Sequence, residues 1–110
     1  MNIINEQLGA VAVVRLEGNL DTNTSPVLQQ HLTGLLDKGA TRVLINCAQV
    51  DYMSSAGLRV LLAVVKRLTA AGGSLRLCTL NETVAEVFEI SGFSTIFRIL
   101  PSETEALEGF

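Results

Sequence analysis

The strongest constraint on this chain is that its hydrophobic period keeps changing. Val11–Glu17 alternates, with Ala12, Val14 and Leu16 on one side and Arg15 and Glu17 on the other, which is the period of a strand. Leu28, Leu32, Leu35 and Leu36 then recur at helical spacing. Val43-Leu44-Ile45 returns to a short unbroken apolar run, the signature of a strand covered on both faces. Leu58, Leu61, Leu62, Val65 and Leu68 make a second helical stripe, widened by Val60 and Val64, and Leu75 and Leu77 alternate again with Arg76 and Cys78.

The residues between these segments act as punctuation. Residues 3–7 are expected to pair with Val11–Glu17 across a turn at Leu8-Gly9-Ala10. Ser25 is the expected N-cap of the first helix, with Pro26 in its first turn and Gly39 at its end. The second helix, residues 55–71, is expected to open on Ser55 and stop at Gly72-Gly73. Asn81 or Thr83 opens a shorter helix carrying Val84, Val87 and Phe88, which Ser91-Gly92 closes. Residues 96–99 read as a last strand, and Ser102 with Glu105 makes a capping box for a terminal helix. The order β-β-α-β-α-β-α-β-α predicts an α/β domain with right-handed crossovers: a mostly parallel mixed sheet of about five strands with about four helices.

At 110 residues, 48% of them hydrophobic, the chain has enough apolar mass for one core and too little length for two. The expectation is a single domain over 1–110. Cys47 and Cys78 both fall in strand-like segments and read as small buried hydrophobes; two cysteines do not make a four-ligand zinc site, and no metal is expected. The longest aliphatic run, residues 60–65, lies between Arg59 and Lys66 and is far below the roughly 20 residues of a membrane span, so no membrane insertion is expected. The first residues, MNIINEQLG, have neither a basic nor an apolar leader region, which predicts a cytoplasmic protein. A net charge of −3 with the eight basic residues dispersed argues against nucleic acid.

In α/β sheets, ligands and partners gather where strands end and helices begin. Two such segments stand out: Asp51-Tyr52-Met53-Ser54-Ser55-Ala56-Gly57-Leu58 before the longest helix, and Gly18-Asn19-Leu20-Asp21-Thr22-Asn23-Thr24 before the first. With Ser55 as N-cap, its hydroxyl would lie beside the unpaired amides of Gly57 and Leu58, where a phosphate would be stabilised by the helix dipole. Gly57, lacking a side chain, would either let a partner approach the backbone closely or serve internal packing. Tyr52 and Met53 suit either an interface hot spot or a plug beneath the loop.

At these residues the chain resembles the STAS domain family, the anti-sigma factor antagonists of bacterial partner-switching systems. The resemblance rests on Tyr52-Met53-Ser54-Ser55-Ala56-Gly57-Leu58, on Gly18-Asn19-Leu20-Asp21-Thr22-Asn23-Thr24, and on Ser91-Gly92-Phe93 with Phe97, three motifs in order over about residues 3–107. It implies that Ser55 is a phosphoacceptor, favoured over Ser54, which stands where the family usually has Asp. It implies that Asp21 lies beside that site. The surface expected to meet a partner is the head of the second helix and its loops: Asp21, Tyr52, Met53, Ser54, Ala56, Gly57 and Arg59. The implied function is a switch rather than an enzyme: the unphosphorylated form binds an anti-sigma factor serine kinase and so releases a sigma factor. Phosphorylation ends the docking, and a serine phosphatase of the PP2C type resets it. The alternative is a STAS subunit of another complex: a stress-sensing assembly, a system controlling secretion or motility, or a lipid-transport complex.

Two other classes fit poorly. A serine hydrolase elbow wants Gly two residues before the nucleophile, where this chain has Met53, and the only histidine, His31, falls on the polar face of the first helix. A nucleotide binder would need a Gly-rich phosphate loop, and neither G-x-x-x-x-G-K-[ST] nor G-x-G-x-x-G occurs. No cofactor and no catalytic residue are therefore expected.

Overall fold

The two-residue turn at Gly9-Ala10, with Gly9 at φ +60°, closes a hairpin of β1 (Asn2–Leu8) and β2 (Val11–Glu17). The computed structural model describes residues 1–110. Beyond the hairpin the chain alternates: α1 (Ser25–Asp37), β3 (Arg42–Gln49), α2 (Ser55–Ala70), β4 (Ser74–Cys78), α3 (Glu82–Ile90), β5 (Arg98–Leu100) and α4 (Glu103–Leu107). The strands lie side by side in chain order, antiparallel between β1 and β2 and parallel from β2 to β5. This is the expected mixed sheet of five strands with four helices. No helix is long and apolar enough to cross a membrane.

Consecutive parallel strands joined by right-handed crossovers put all the connecting helices on one face. The main core lies there, where Leu28 and Leu32 of α1, Leu61 and Leu68 of α2, and Val84 and Phe88 of α3 meet Val14, Leu16, Val43, Ile45 and Leu77 of the sheet. α4, following the last strand, covers the other face, where Ala106 packs with Val11, Val13, Leu44 and Cys78. The unbroken run Val43-Leu44-Ile45 is thereby buried on both sides, as its composition demands.

Two arginines on the α4 face fasten that helix. Arg15 donates from Nε and Nη2 to the two carboxylate oxygens of Glu103, at 3.1 and 3.0 Å, and Asn46 adds a bond to Oε1 at 3.1 Å. Arg76 donates to the carbonyls of Ala106, Glu108 and Gly109 at 2.8, 2.8 and 3.0 Å, and its guanidinium lies 4.3 Å from the centre of the Phe110 ring. It therefore satisfies carbonyls that the end of α4 would otherwise leave unpaired.

Two boundaries differ from expectation, and one that the sequence left open is settled. The last strand is Arg98–Leu100, not residues 96–99, because Phe93–Thr95 forms a 3₁₀ turn and Phe97 inserts edge-on against Phe88, with ring centroids 5.1 Å apart. Ser25 is inside α1 rather than its cap; its hydroxyl donates to the Asp21 carbonyl and Thr24 precedes the helix. Of the two residues expected to open α3, Asn81 does so, its Oδ1 accepting from the Val84 amide at 2.8 Å.

Candidate functional site

The two loops singled out in the sequence are zipped together at one end of the sheet. Leu20 forms an isolated parallel bridge with Met53: the Leu20 amide donates to the Tyr52 carbonyl at 2.9 Å, and the Ser54 amide to the Leu20 carbonyl at 2.8 Å. Both side chains are buried beneath these bonds. Met53 is 1% exposed, so its role is the plug under the loop, and it offers no side-chain surface to a partner.

Gly57 is also internal. A Cβ built there would stand 2.5 Å from Leu20 Cγ and 3.3 Å from Met53 Cγ. Of the two roles the sequence allowed, internal packing is the one this glycine fills: it lets the first turn of α2 rest directly on the Leu20–Met53 plug. Gly57 is therefore corrected from partner contact to packing residue.

The cap of α2 is Ser54, not Ser55. Ser54 has extended backbone, its Oγ accepts from the Gly57 amide at 3.4 Å, and its carbonyl accepts the first helical bond from Leu58 at 3.1 Å. Ser55 follows as the first helical residue and is exposed, while Ser54 is half-buried. The first turn of α2 contains no acidic residue of its own.

Asp21 is spent on its own loop. Its Oδ1 accepts from the amides of Asn23 and Thr24 at 2.9 and 3.0 Å and from Thr24 Oγ1 at 3.2 Å, while Thr24 Oγ1 accepts from the Asp21 amide at 2.9 Å. The bond from the Thr24 amide is the main cause holding this carboxyl below its ordinary value. Asp21 thus follows directly on the Leu20 bridge to the head of α2 and shapes the loop that carries it.

Between α1 and the first turns of α2 runs an open groove of about 310 Å³ lined by Thr22, Ser25, Pro26, Gln29, Ala56 and Arg59 among others. Arg59, one turn after Ser55, is exposed and forms no ion pair. Tyr52, 48% exposed, stands at the rim of the loop. The sequence reading missed one supporting residue: besides capping α3, Asn81 donates from Nδ2 to the carbonyls of Val50 and Asp51, at 3.1 and 3.4 Å, and so holds the Tyr52 loop. Its cap signal was visible, but a 31-residue reach to Val50 leaves no local pattern.

No group of three or more His, Cys, Asp or Glu side chains is placed to hold a metal ion. Cys47 and Cys78 are both buried and unpaired, on opposite faces of the sheet, and burial pushes the Cys47 thiol up to about 12. His31 is half-buried, with Nε2 3.3 Å from Asn5 Oδ1, and lies on the β1 side of α1, away from the α1–α2 groove.

A family model described as the STAS domain matches residues 2–106. BtrV of Bordetella bronchiseptica is 38% identical over 110 residues, covering 100% of this chain and 95% of that protein. The anti-sigma-B factor antagonist of Bacillus subtilis is 36% identical over 86 residues, 78% of each. Among solved structures, the anti-sigma factor antagonist SpoIIAA in its unphosphorylated form superposes with a TM-score of 0.84 at 26% identity, covering 97% of this chain and 94% of that one. The phosphorylated form of Bacillus SpoIIAA gives 0.76 at 25% identity, with 97% of each chain covered. With the motifs in place at the head of α2 and the family match running from β1 into α4, the chain belongs to the STAS domain family.

Proposed function

We propose that this protein is an anti-sigma factor antagonist controlled by phosphorylation of Ser55. In its unphosphorylated form it docks on an anti-sigma factor serine kinase and frees the sigma factor that kinase holds. Phosphorylation by the kinase ends the docking, and a serine phosphatase restores it. Relatives named as anti-sigma factor antagonists support the role, and a structural neighbour known in unphosphorylated and phosphorylated forms supports the mode of control.

The observation that carries the choice of residue is the division of labour between adjacent serines. Ser54 uses its hydroxyl to cap α2 and is half-buried; Ser55 keeps its hydroxyl free and exposed. A phosphate there would add about −1.5 to −2 charges at the open end of the α2 dipole, where it costs the fold little. Within a contact surface the same charge must be desolvated, and a penalty of about 3 kcal/mol already weakens binding more than a hundredfold. Asp21, Tyr52, Ala56 and Arg59 around Ser55 form the docking surface in this reading, and Ser54, Met53 and Gly57 shape it from beneath.

Incubation with the cognate kinase and ATP is expected to add one phosphoryl group, detected by mass spectrometry, that Ser55→Ala abolishes and Ser54→Ala retains. A shift lost in Ser54→Ala and kept in Ser55→Ala would refute the assignment.

A further inference from the structure

α2 carries charge of one sign only. Its 16 residues include Arg59, Lys66 and Arg67 and no acidic side chain. Arg67 is answered from α1, donating to Asp37 at 2.6 Å, whereas Arg59 and Lys66 form no ion pair. The positions from which a helix could supply Arg59 with a partner, three and four residues to either side, hold Ser55, Ala56, Leu62 and Ala63. Arg59 also lines the groove between α1 and α2, and none of the other lining residues is acidic.

Helix geometry fixes which added group could reach this guanidinium. Ser55 and Arg59 are four residues apart, so they share one face, with roughly 5–6 Å between their Cβ atoms. Long side chains in a helix lean toward its N-terminus, so Arg59 covers the turn that begins at Ser55. Ser54 lies outside the helix, its hydroxyl turned to the Gly57 amide. Lys66, the other unpaired cation of α2, is about 16 Å along the axis from Ser55 and out of reach.

We propose, resting on the assignment of the phosphate to Ser55, that Arg59 is the counter-ion of phosphorylated Ser55 and that the phosphate withdraws it from the docking surface. Without phosphate the guanidinium is free to meet a carboxylate of the docked protein, for which its planar fork is suited. A dianion on Ser55 offers the same fork a ligand that is tethered one turn away on the same helix, and tethering raises its effective concentration above that of any group arriving from solution. The order is also the favourable one, with the anion toward the N-terminus and the cation four residues later.

One modification thus acts on docking twice. It adds a charge that must be desolvated, and it occupies the unpaired cation at the head of α2. The first effect is repulsion alone and would be the same for any residue at position 59; the second depends on Arg59. Because Arg59 is exposed and holds nothing else in the fold, its replacement separates the two without disturbing α2.

Phosphoserine placed at position 55 during translation tests the pair without any kinase. In a phosphorus NMR titration the second ionisation of the phosphate is expected to lie about 0.3 pH unit or more lower with Arg59 present than in Arg59→Gln. Arg59→Lys is expected to fall between them, and Lys66→Gln to match the wild type. The carboxylates of Asp21 and Asp51 in the flanking loops are common to all four proteins and cancel in the comparison. Equal ionisation with and without Arg59, or an effect of Lys66→Gln as large as that of Arg59→Gln, overturns the pair. Docking is then read as the fold-change in kinase affinity that the phosphate causes. It is expected to be about threefold or more larger in the wild type than in Arg59→Gln, which binds more weakly than the wild type when unphosphorylated. An equal fold-change in the two proteins, or a larger one in Arg59→Gln, overturns the withdrawal of Arg59. A kinase that fails to bind the unphosphorylated wild type counts against the docking reading and leaves the titration decisive for the pair.

Discussion

The Ser54 amide donates to the Leu20 carbonyl across 2.8 Å, and this one bond ties the cap of α2 to the loop that carries Asp21. With Leu20 and Met53 buried beneath it, the head of α2, the Tyr52 loop and the Asp21 loop form one connected platform. A charge added at Ser55 therefore changes a surface that is already in place.

Gly57→Ala tests the platform. The new methyl would stand 2.5 Å from Leu20 Cγ, so overpacking outweighs the gain in helix propensity. The expected net loss is about 1–2 kcal/mol in urea unfolding, with faster hydrogen exchange at the Leu20 and Ser54 amides.

Ser54→Ala removes the cap. Because the Ser54 Oγ to Gly57 N bond is long, at 3.4 Å, the expected cost is near the low end for caps, about 0.5–1 kcal/mol. Ser54→Asp is expected to recover that stability or exceed it, because a carboxylate at the head of α2 meets the open end of the dipole. Thermal unfolding of the three proteins gives the order.

Arg76→Ala leaves three tail carbonyls without their donor and removes the contact with Phe110. A loss of about 2–3 kcal/mol is expected. Arg76→Lys should recover only part of it, because an ammonium cannot span the carbonyls of Ala106, Glu108 and Gly109 as the planar fork does. Exchange of the amides of α4, read by mass spectrometry, should rise in both variants.

The Glu103 carboxyl is held below its ordinary value of 4.5, chiefly by the side-chain bond from Arg15. A depressed folded value contributes stability that is fully present above the unfolded value and is lost as pH falls through the folded one. Stability is therefore expected to decline below about pH 4.5. Glu103→Gln is expected to be less stable by on the order of 1 kcal/mol at pH 7 and to show a shallower decline on acidification. Urea midpoints measured from pH 7 to pH 3 decide this; an unchanged slope would remove Glu103 from the account.

Much of this fold can be read directly from the chain, because its main elements are set by local periodicity. The stripe Leu58, Leu61, Leu62, Val65 and Leu68 cannot face a core except as a helix; in the structure four of the five are buried, together with Val60 and Val64, and Leu62 is partly buried against the same core. What escapes is set by contacts distant in sequence. Ser54 and Ser55 are equally good caps by type, and the choice falls to the bond between Ser54 and Leu20. Arg15 with Glu103, 88 residues apart, and Arg76 with the tail leave no periodic trace. Phe97 read as strand because an aromatic beside Ile96 fits that pattern, yet its packing on Phe88 places it before β5. At the site, the loop and its pair of serines were legible in the residues, while burial separated Met53 and Gly57 from the exposed Tyr52 and Arg59.

Phosphate on Ser55 is expected to switch off docking without altering the fold. The direct measurement is the affinity of the anti-sigma factor kinase for the unphosphorylated protein and for the protein stoichiometrically phosphorylated at Ser55, taken alongside their circular dichroism spectra. Identical spectra are expected, with binding weakened more than a hundredfold by the phosphate. Equal affinity of the two forms would contradict it.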